Sequence, residues 1–166
     1  MREIRRILVP VDFSECSRAA LDAAALLAER LGASIDVLHV WDTPHYVGPE
    51  FLMGEPIATG PPLQEAAISQ AERQMDEFLS AFPQREQFRT RFASGKPYEA
   101  IIKLAADERY DAIVMGTHGR SGLRRLLAGS VTEKVVRTAP CPVITIREPG
   151  ATHAKESLEA VPDAPS

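Results

Sequence analysis

Apolar runs of strand length alternate with longer amphipathic stretches along most of this chain. Four short apolar runs with β-branched residues predict buried strands at residues 4–12, 34–42, 111–116 and 141–148, and an alternating segment predicts a further strand at residues 88–95. Four amphipathic stretches predict helices; they cover residues 18–32, 63–82, 97–110 and 130–139. Strands that alternate with helices in this way predict an α/β fold, in which helices cover both faces of a parallel sheet. Ligands of such sheets bind beyond the carboxyl ends of the strands, where the strand order reverses.

Two segments fall outside this pattern. Residues 43–62 contain eight prolines and glycines among twenty residues, which is typical of a lid, a binding loop or a disordered insertion. Residues 149–166 contain three prolines and few apolar side chains, so we expect a flexible C-terminal tail. The remaining stretch, 1–148, has the length of one domain with its own hydrophobic core.

Composition narrows the classes of function. Of the 166 residues, 45% are apolar and 25% are charged, as in an ordinary soluble globular protein. The formal net charge of −4 argues against a general nucleic-acid binder, although a local basic patch can still bind a small anion. No run approaches the length of about 18 apolar residues that a membrane-spanning helix needs. The first residues do not resemble a signal peptide either, so we expect a cytoplasmic protein without a membrane partner.

The cysteines and histidines do not form a disulfide or metal pattern. Cys16 and Cys141 lie far apart, outside any CxxC motif, which predicts reduced thiols. The histidines have no ligand spacing with the cysteines or with one another, so no metal site is predicted. They are His39, His45, His118 and His153.

The stretch "GTHGRSGLRRLLAGS", residues 116–130, combines glycine with positive charge between a predicted strand and a predicted helix. Gly116 and Gly119 follow the strand, and Gly129 precedes Ser130 at the helix start. Glycine lets the backbone approach a ligand closely, and a helix N-terminus offers free N–H donors to an anion. The spacing predicts a phosphate cradle that is neither a Walker A loop nor a dinucleotide fingerprint. A glycine turn, a helix cap and solvated arginines without any ligand are the alternative.

The same stretch resembles a known motif. It matches the G-x-x-G-x9-G-(S/T) pattern of the universal stress protein family at all four fixed positions, which are Gly116, Gly119, Gly129 and Ser130. The segments "RRILVPVDFSECSRAAL" and "APCPVITIR" resemble the first and last parts of that family. The resemblance covers about residues 3–148. It implies a five-stranded parallel sheet of order 3-2-1-4-5, similar to the adenine nucleotide alpha hydrolase fold, and binding of ATP.

Carried over by position, the resemblance also implies a set of nucleotide-binding residues. The end of the first strand would lie beside the base and the ribose, with Asp12 accepting hydrogen bonds from the ribose; Asp12 as a cap of the first turn is the alternative. The backbone of Val40 would face the adenine edge, unless this residue only belongs to the core. The full set is Pro10, Val11, Asp12 and Val40, then Met115 and Gly116 on the sugar side, then Gly119, Gly129, Ser130 and Val131 on the phosphates. His118 lies inside the motif at a position that the family pattern leaves free. Mg²⁺ can enter with the nucleotide.

Three functions remain compatible with these residues. The first is a regulatory, stress-response protein that holds ATP in the glycine cradle. The second is a slow ATP hydrolase or another nucleotide-dependent enzyme, and the third is an interaction module without a ligand. Fast phosphoryl transfer usually needs a positioned lysine, which the motif lacks, so we expect slow hydrolysis at most. The apolar segment 141–147 would lie at a sheet edge and predicts a homodimer through the last strand. The sequence does not identify a downstream protein partner.

Overall fold

A sheet of five parallel strands forms the centre of the molecule. The computed structural model describes residues 3–41, 61–117 and 131–147. The strands are β1 (Arg6–Val11), β2 (Ser34–Trp41), β3 (Phe88–Ser94), β4 (Ala112–Gly116) and β5 (Val143–Ile146). The helices that alternate with them along the chain are α1 (Glu15–Leu31), α2 (Pro61–Ser80), α3 (Pro97–Asp107) and α4 (Val131–Thr138).

The strand order is β3-β2-β1-β4-β5, and each neighbouring pair is parallel. This confirms the predicted fold class and the order 3-2-1-4-5. The chain builds the sheet outward from β1 to β3 and then continues on the other side of β1 with β4. The order therefore reverses at β1, which makes the carboxyl end of this strand the topological switch point of the sheet.

Helices cover both faces of the sheet, as predicted. Successive side chains of a strand point to opposite faces. Ile7 and Val9 of β1 lie in one core cluster with buried residues of α1 and α2, whereas Leu8 lies in a second cluster with buried residues of α3 and α4. Because β1 contributes buried side chains to both clusters, it is held rigidly from both sides.

The ends of helix α1 follow from the residues that flank it. Ser14 accepts a hydrogen bond from the backbone N–H of Ser17, so Ser14 is the N-cap of the helix. Gly32 ends the helix in the left-handed conformation, with φ of 65°, which glycine adopts without a steric penalty.

Observed boundaries differ from the predicted ones by a few residues. Helix α2 begins at Pro61 rather than 63, because proline is favoured in a first helical turn, and it ends at Ser80 rather than 82. A 3-10 turn at Arg85–Gln87 precedes β3 and was not predicted. The predicted loop 43–62, up to residue 60, and the predicted tail 149–166 lie outside the described residues.

Candidate functional site

At the carboxyl edge of the sheet, the ends of β1, β2 and β4 border the topological switch point, and we call this region the crevice. Pairing between β1 and β2 ends at Val11↔His39, while β2 continues to Trp41. Pairing between β1 and β4 ends at Leu8↔Ile113, while β4 continues to Gly116. Strand β2 therefore extends past the end of β1, and β1 and β4 stop pairing before either strand ends, at the position where ligands of this architecture bind.

Pro10 accounts for the early end of the pairing between β1 and β4. The backbone carbonyl of Arg6 accepts a hydrogen bond from the N–H of Asp111, just before β4. Because backbone groups alternate in direction along a strand, Pro10 also faces β4. Proline has no N–H to donate, so the ladder cannot continue there. Pro10 is buried and stands where the two strands separate.

The turn between β1 and α1 is fixed by its own polar side chains. Asp12 Oδ1 accepts hydrogen bonds from the N–H of Ser14 at 3.2 Å and from its hydroxyl at 2.6 Å. Phe13, between them, has φ of 64°, a left-handed conformation that is rare for a bulky side chain. Asp12 thus has the turn-capping role that the sequence left open, and its carboxylate stands at the end of β1 beside the crevice.

His39 of β2 reaches across to this turn. Its Nδ1 lies 3.0 Å from the carbonyl oxygen of Val11, and its ring stacks on Phe13 with 4.3 Å between the ring centroids. Val40, the next residue, is half-buried and packs against the second core cluster. Its backbone lies past the last pair of β1 and β2.

At the end of β4, Met115 is buried and Gly116 lies against the first turn of α1. A Cβ atom at Gly116 would lie 2.8 Å from Cys16 Sγ and 3.1 Å from the carbonyl carbon and oxygen of Cys16. The same thiol donates to the carbonyl oxygen of Ile146 in β5 at 3.4 Å. The N–H of Thr117 donates to that carbonyl as well, at 2.9 Å. These contacts join α1, β4 and β5 at one corner of the crevice.

Helix α4 begins directly beside this corner. The hydroxyl of Thr132 donates to the carbonyl oxygen of Gly116 at 2.8 Å. Val131, the first helical residue, is half-buried and packs against the second core cluster. The end of β4 and the start of α4 are therefore adjacent, although 14 residues lie between Gly116 and Val131 in sequence.

The structure locates most of the predicted site residues at this edge. Pro10, Val11 and Asp12 lie at the end of β1, Val40 at the end of β2, Met115 and Gly116 at the end of β4, and Val131 at the start of α4. The predicted residues His118, Gly119, Gly129 and Ser130 lie outside the described residues. Their proposed contacts with phosphate stay predictions.

Sequence reasoning did not single out four residues that shape the crevice, which are Phe13, Cys16, His39 and Thr132. A threonine in the first turn of a helix is a recognisable signal for a backbone contact. The other three give no local signal, because their partners come from distant segments and are brought near only by the strand order.

A second polar cluster lies at the opposite, amino edge of the sheet. Asp36 is 1% exposed. Its Oδ2 accepts from Arg6 at 3.4 Å, from Arg91 at 3.3 Å and from the hydroxyl of Tyr110. Glu108 bridges the two guanidinium groups at 3.0 and 2.6 Å. Its hydrogen bond to Arg6 raises the pKa of that guanidinium. Burial and the hydrogen bond to Asp36 raise the pKa of Tyr110 well above its usual range. This cluster joins β1, β2 and β3 but lies away from the crevice.

The described residues contain neither a group of metal ligands nor a membrane-spanning helix. Across 3–41, 61–117 and 131–147, no three His, Cys, Asp or Glu side chains are grouped so that they could hold a metal ion. Among the same residues, no helix is long and apolar enough to cross a membrane.

Comparison with known proteins gives one family. The model of the universal stress protein family matches residues 3–147. A universal stress protein of Thermus aquaticus is 33% identical over 144 residues, which span 86% of this chain and 98% of that protein. The solved structure of universal stress protein UspA from Lactobacillus plantarum is 32% identical, with a TM-score of 0.66, and covers 89% of this chain and all of that one.

Two more distant structures share the fold and were solved with nucleotides. One is a universal stress protein in complex with cAMP, which is 21% identical with a TM-score of 0.58 and covers 87% of this chain and 98% of that one. The other is a universal stress protein family protein of Arabidopsis thaliana with AMP bound, which is 20% identical with a TM-score of 0.58 and covers 88% and 93%.

Proposed function

Because this chain belongs to the universal stress protein family, we propose that it binds an adenine nucleotide, ATP first of all, in the crevice at the carboxyl edge of its sheet. The bound nucleotide acts as a regulatory signal in a stress response, in the cytoplasm. It is held rather than rapidly consumed.

One observation carries this proposal. The hydrogen bond from Thr132 to the carbonyl of Gly116 holds the start of α4 against the end of β4. Gly116 and Thr132, which flank most of the glycine stretch, are thereby held together at the carboxyl edge of the sheet, where β1 also ends. A glycine-rich connection that begins at a strand end and returns to a helix N-terminus has the geometry that favours phosphate, because N–H donors converge there.

Each residue of the predicted site has a role in the proposal. Pro10 keeps β1 and β4 apart, and the carboxylate of Asp12 accepts from the ribose hydroxyls. The backbone of Val11 and of Val40 faces the adenine, while Met115 and Gly116 contact the sugar. Phosphate contacts are assigned to Gly119, Gly129, Ser130 and Val131, with His118 nearby and Mg²⁺ bound mainly through phosphate oxygens and water. The AMP and cAMP complexes of the two distant relatives support the adenine nucleotide as the ligand class.

We also propose a homodimer through residues 141–147. Strand β5 is an outer strand of the sheet. The backbone N–H and C=O groups on its outward side can pair with those of a second copy. A twofold axis at this edge would join the two β5 strands antiparallel.

The glycine cradle is tested by calorimetry with AMP, ADP and ATP on the parent protein and on Gly129→Asp. We expect affinity to rise with the number of phosphates in the parent. The variant places a carboxylate at the phosphates, and like charges held together cost several kcal/mol, so ATP binding should weaken more than about tenfold. Phosphate release in the same solutions should be slower by several orders of magnitude than the turnover of about 10 per second of a typical enzyme.

The matched control is Gly122→Asp, which adds the same charge within the stretch but outside the motif positions. It should bind ATP nearly as the parent does. A parent protein that binds no adenine nucleotide contradicts the proposed function. If the parent and Gly129→Asp bind ATP equally, the crevice can still be the site but the cradle is wrong.

A further inference from the structure

The turn that follows β1 adopts a backbone conformation that its own sequence does not favour. Phe13 has φ of 64°, and the left-handed region crowds the Cβ of any residue with a side chain. Such conformations persist only where surrounding contacts hold them, and they cluster at functional sites. The contacts that hold Phe13 are therefore informative about the crevice beside it.

His39 supplies two of these contacts with one side chain. A carbonyl oxygen can only accept a hydrogen bond, so the Nδ1 atom that faces the Val11 carbonyl at 3.0 Å carries a hydrogen. The imidazole plane is tilted by 30° from the ring of Phe13, with centroids 4.3 Å apart. Phe13 also meets Phe78 of α2 edge-on at 5.5 Å. The aromatic ring of the turn thus contacts both β2 and α2.

We propose that His39 is a positioning residue for the nucleotide site. It fixes the backbone of Val11 through its Nδ1–H and the left-handed turn through its stacked ring. Asp12 lies between these two anchors in sequence, so they fix its backbone, while its hydrogen bonds with Ser14 orient its carboxylate. This inference rests on the proposed nucleotide binding and identifies the residue outside the motif that prepares the ribose end of the site.

Histidine suits this place because it combines a donor with an aromatic ring. Asparagine keeps a nitrogen donor near the position of Nδ1 but has no ring to stack. Phenylalanine keeps the ring but has no donor, and alanine has neither. If both contacts position the turn, the three substitutions should weaken binding in a defined order.

The experiment measures ATP affinity and the unfolding midpoint of the parent, His39→Ala, His39→Asn and His39→Phe. We expect His39→Ala to bind about tenfold more weakly, which is the range for losing a hydrogen bond and its ring contact. His39→Asn and His39→Phe should each recover part of the affinity. Val37→Ala is the control, since Val37 is buried on the same face of β2 away from the turn. It should lower the unfolding midpoint and leave ATP affinity unchanged.

Nitrogen-15 spectra of the histidine rings supply a second readout. The parent should show His39 with hydrogen on Nδ1, and its ring signals should shift when ATP is added. Equal ATP affinity of the parent and all three variants overturns the positioning role while nucleotide binding stands. If Val37→Ala, with an equal loss in unfolding midpoint, weakens ATP binding as much as His39→Ala does, the positioning role is also overturned. A parent without nucleotide binding overturns this inference together with the proposed function.

Discussion

Because Gly116 has no Cβ atom, helix α1 can lie directly on the end of β4. At Gly116, two of the three nearest atoms to an added Cβ are backbone atoms of Cys16, both at 3.1 Å. Backbone atoms cannot rotate away as the end of a side chain can. The motif predicted Gly116 as a ligand residue, and the structure adds a packing reason that is independent of any ligand. The sequence could not reveal it, because nothing local links residues 100 positions apart.

Gly116→Ala should therefore destabilise the fold even without nucleotide. Overpacking of this kind costs about 1–3 kcal/mol, measured as the free energy of unfolding in denaturant. In the double variant with Cys16→Ala, the thiol is gone but the two backbone atoms remain, so only part of the loss should be recovered. Cys16→Ala alone is the reference for the cavity that the missing sulfur leaves. Full recovery would show that only the thiol of Cys16, and not its backbone, opposes a Cβ at Gly116, and no loss in Gly116→Ala would show that the close contact does not constrain the corner.

Sequence patterns located the elements well but could not locate their partners. Each predicted strand and helix is present within a few residues, because β-branched runs and amphipathic periodicity are local properties. The strand order came from the family resemblance, since periodicity alone does not say which strands are neighbours. Asp36 shows the same limit: it stands inside an apolar run of β2, and the arginines that neutralise it come from β1 and β3. The crevice was predicted in outline, and its supports from His39 and Thr132 were not.

Strand β5 gives a test of the proposed dimer that leaves the fold of each copy intact. The carbonyls of Pro142 and Ile146 accept from β4, so by alternation the N–H of Thr145 faces the open edge. Thr145→Pro removes this outward donor without removing a bond to β4. We expect the variant to sediment as a monomer at micromolar concentrations at which the parent is a dimer.

The matched control lies in β3, the other outer strand of the sheet. The N–H of Gly95 donates to Trp41, so the N–H of Thr90 in β3 faces away from β2 in the same manner. Thr90→Pro should leave the dimer unchanged. Sedimentation of the parent as a monomer would exclude the dimer, and dissociation by Thr90→Pro would show that the effect of Thr145→Pro is not specific to β5.

At the scale of the whole molecule, the crevice and the cluster around Asp36 lie at opposite ends of the parallel strands. The carboxyl edge has the crevice with the proposed nucleotide site. The amino edge has the cluster in which the buried Asp36 and Tyr110 meet the half-buried Arg6, Arg91 and Glu108. Removing a partner of Asp36 is costly, because its buried carboxylate loses compensation. We therefore expect changes at the amino edge to alter stability and changes at the crevice to alter binding.

Tyr110→Phe tests this separation through pH. The pKa of Tyr110 is raised by burial and by Asp36, while a tyrosine in the unfolded chain ionises near pH 10. A raised folded-state pKa gives stability that is full below about pH 10 and is lost as pH rises further. The parent should lose unfolding free energy more steeply above this pH than Tyr110→Phe does. At neutral pH the variant should be less stable by about 1–2 kcal/mol, because Asp36 loses a donor.

Tyr98→Phe is the control for this series. The hydroxyl of Tyr98 donates to Glu99 at the exposed start of α3, where solvent screens the interaction. This hydrogen bond also raises the pKa of Tyr98, but because the contact is exposed, the unfolding free energy of Tyr98→Phe should fall above about pH 10 nearly as steeply as that of the parent. If Tyr110→Phe also weakens ATP binding, the two edges of the sheet are coupled and the separation is wrong.

The carbonyl of Ile146, which accepts from both Thr117 and Cys16, also has a consequence for the order of events during protein synthesis. Asp12 and Ile146 are 134 positions apart, so at about 5–20 residues per second the ribosome adds the second on the order of ten seconds after the first. During that interval a nascent chain can hold the turn after β1 but has neither α4 nor the acceptor that braces the end of β4. If nucleotide binds at the proposed site only once this corner is braced, it would stabilise chains in which β5 has already joined the sheet and would not assist the folding of the early strands.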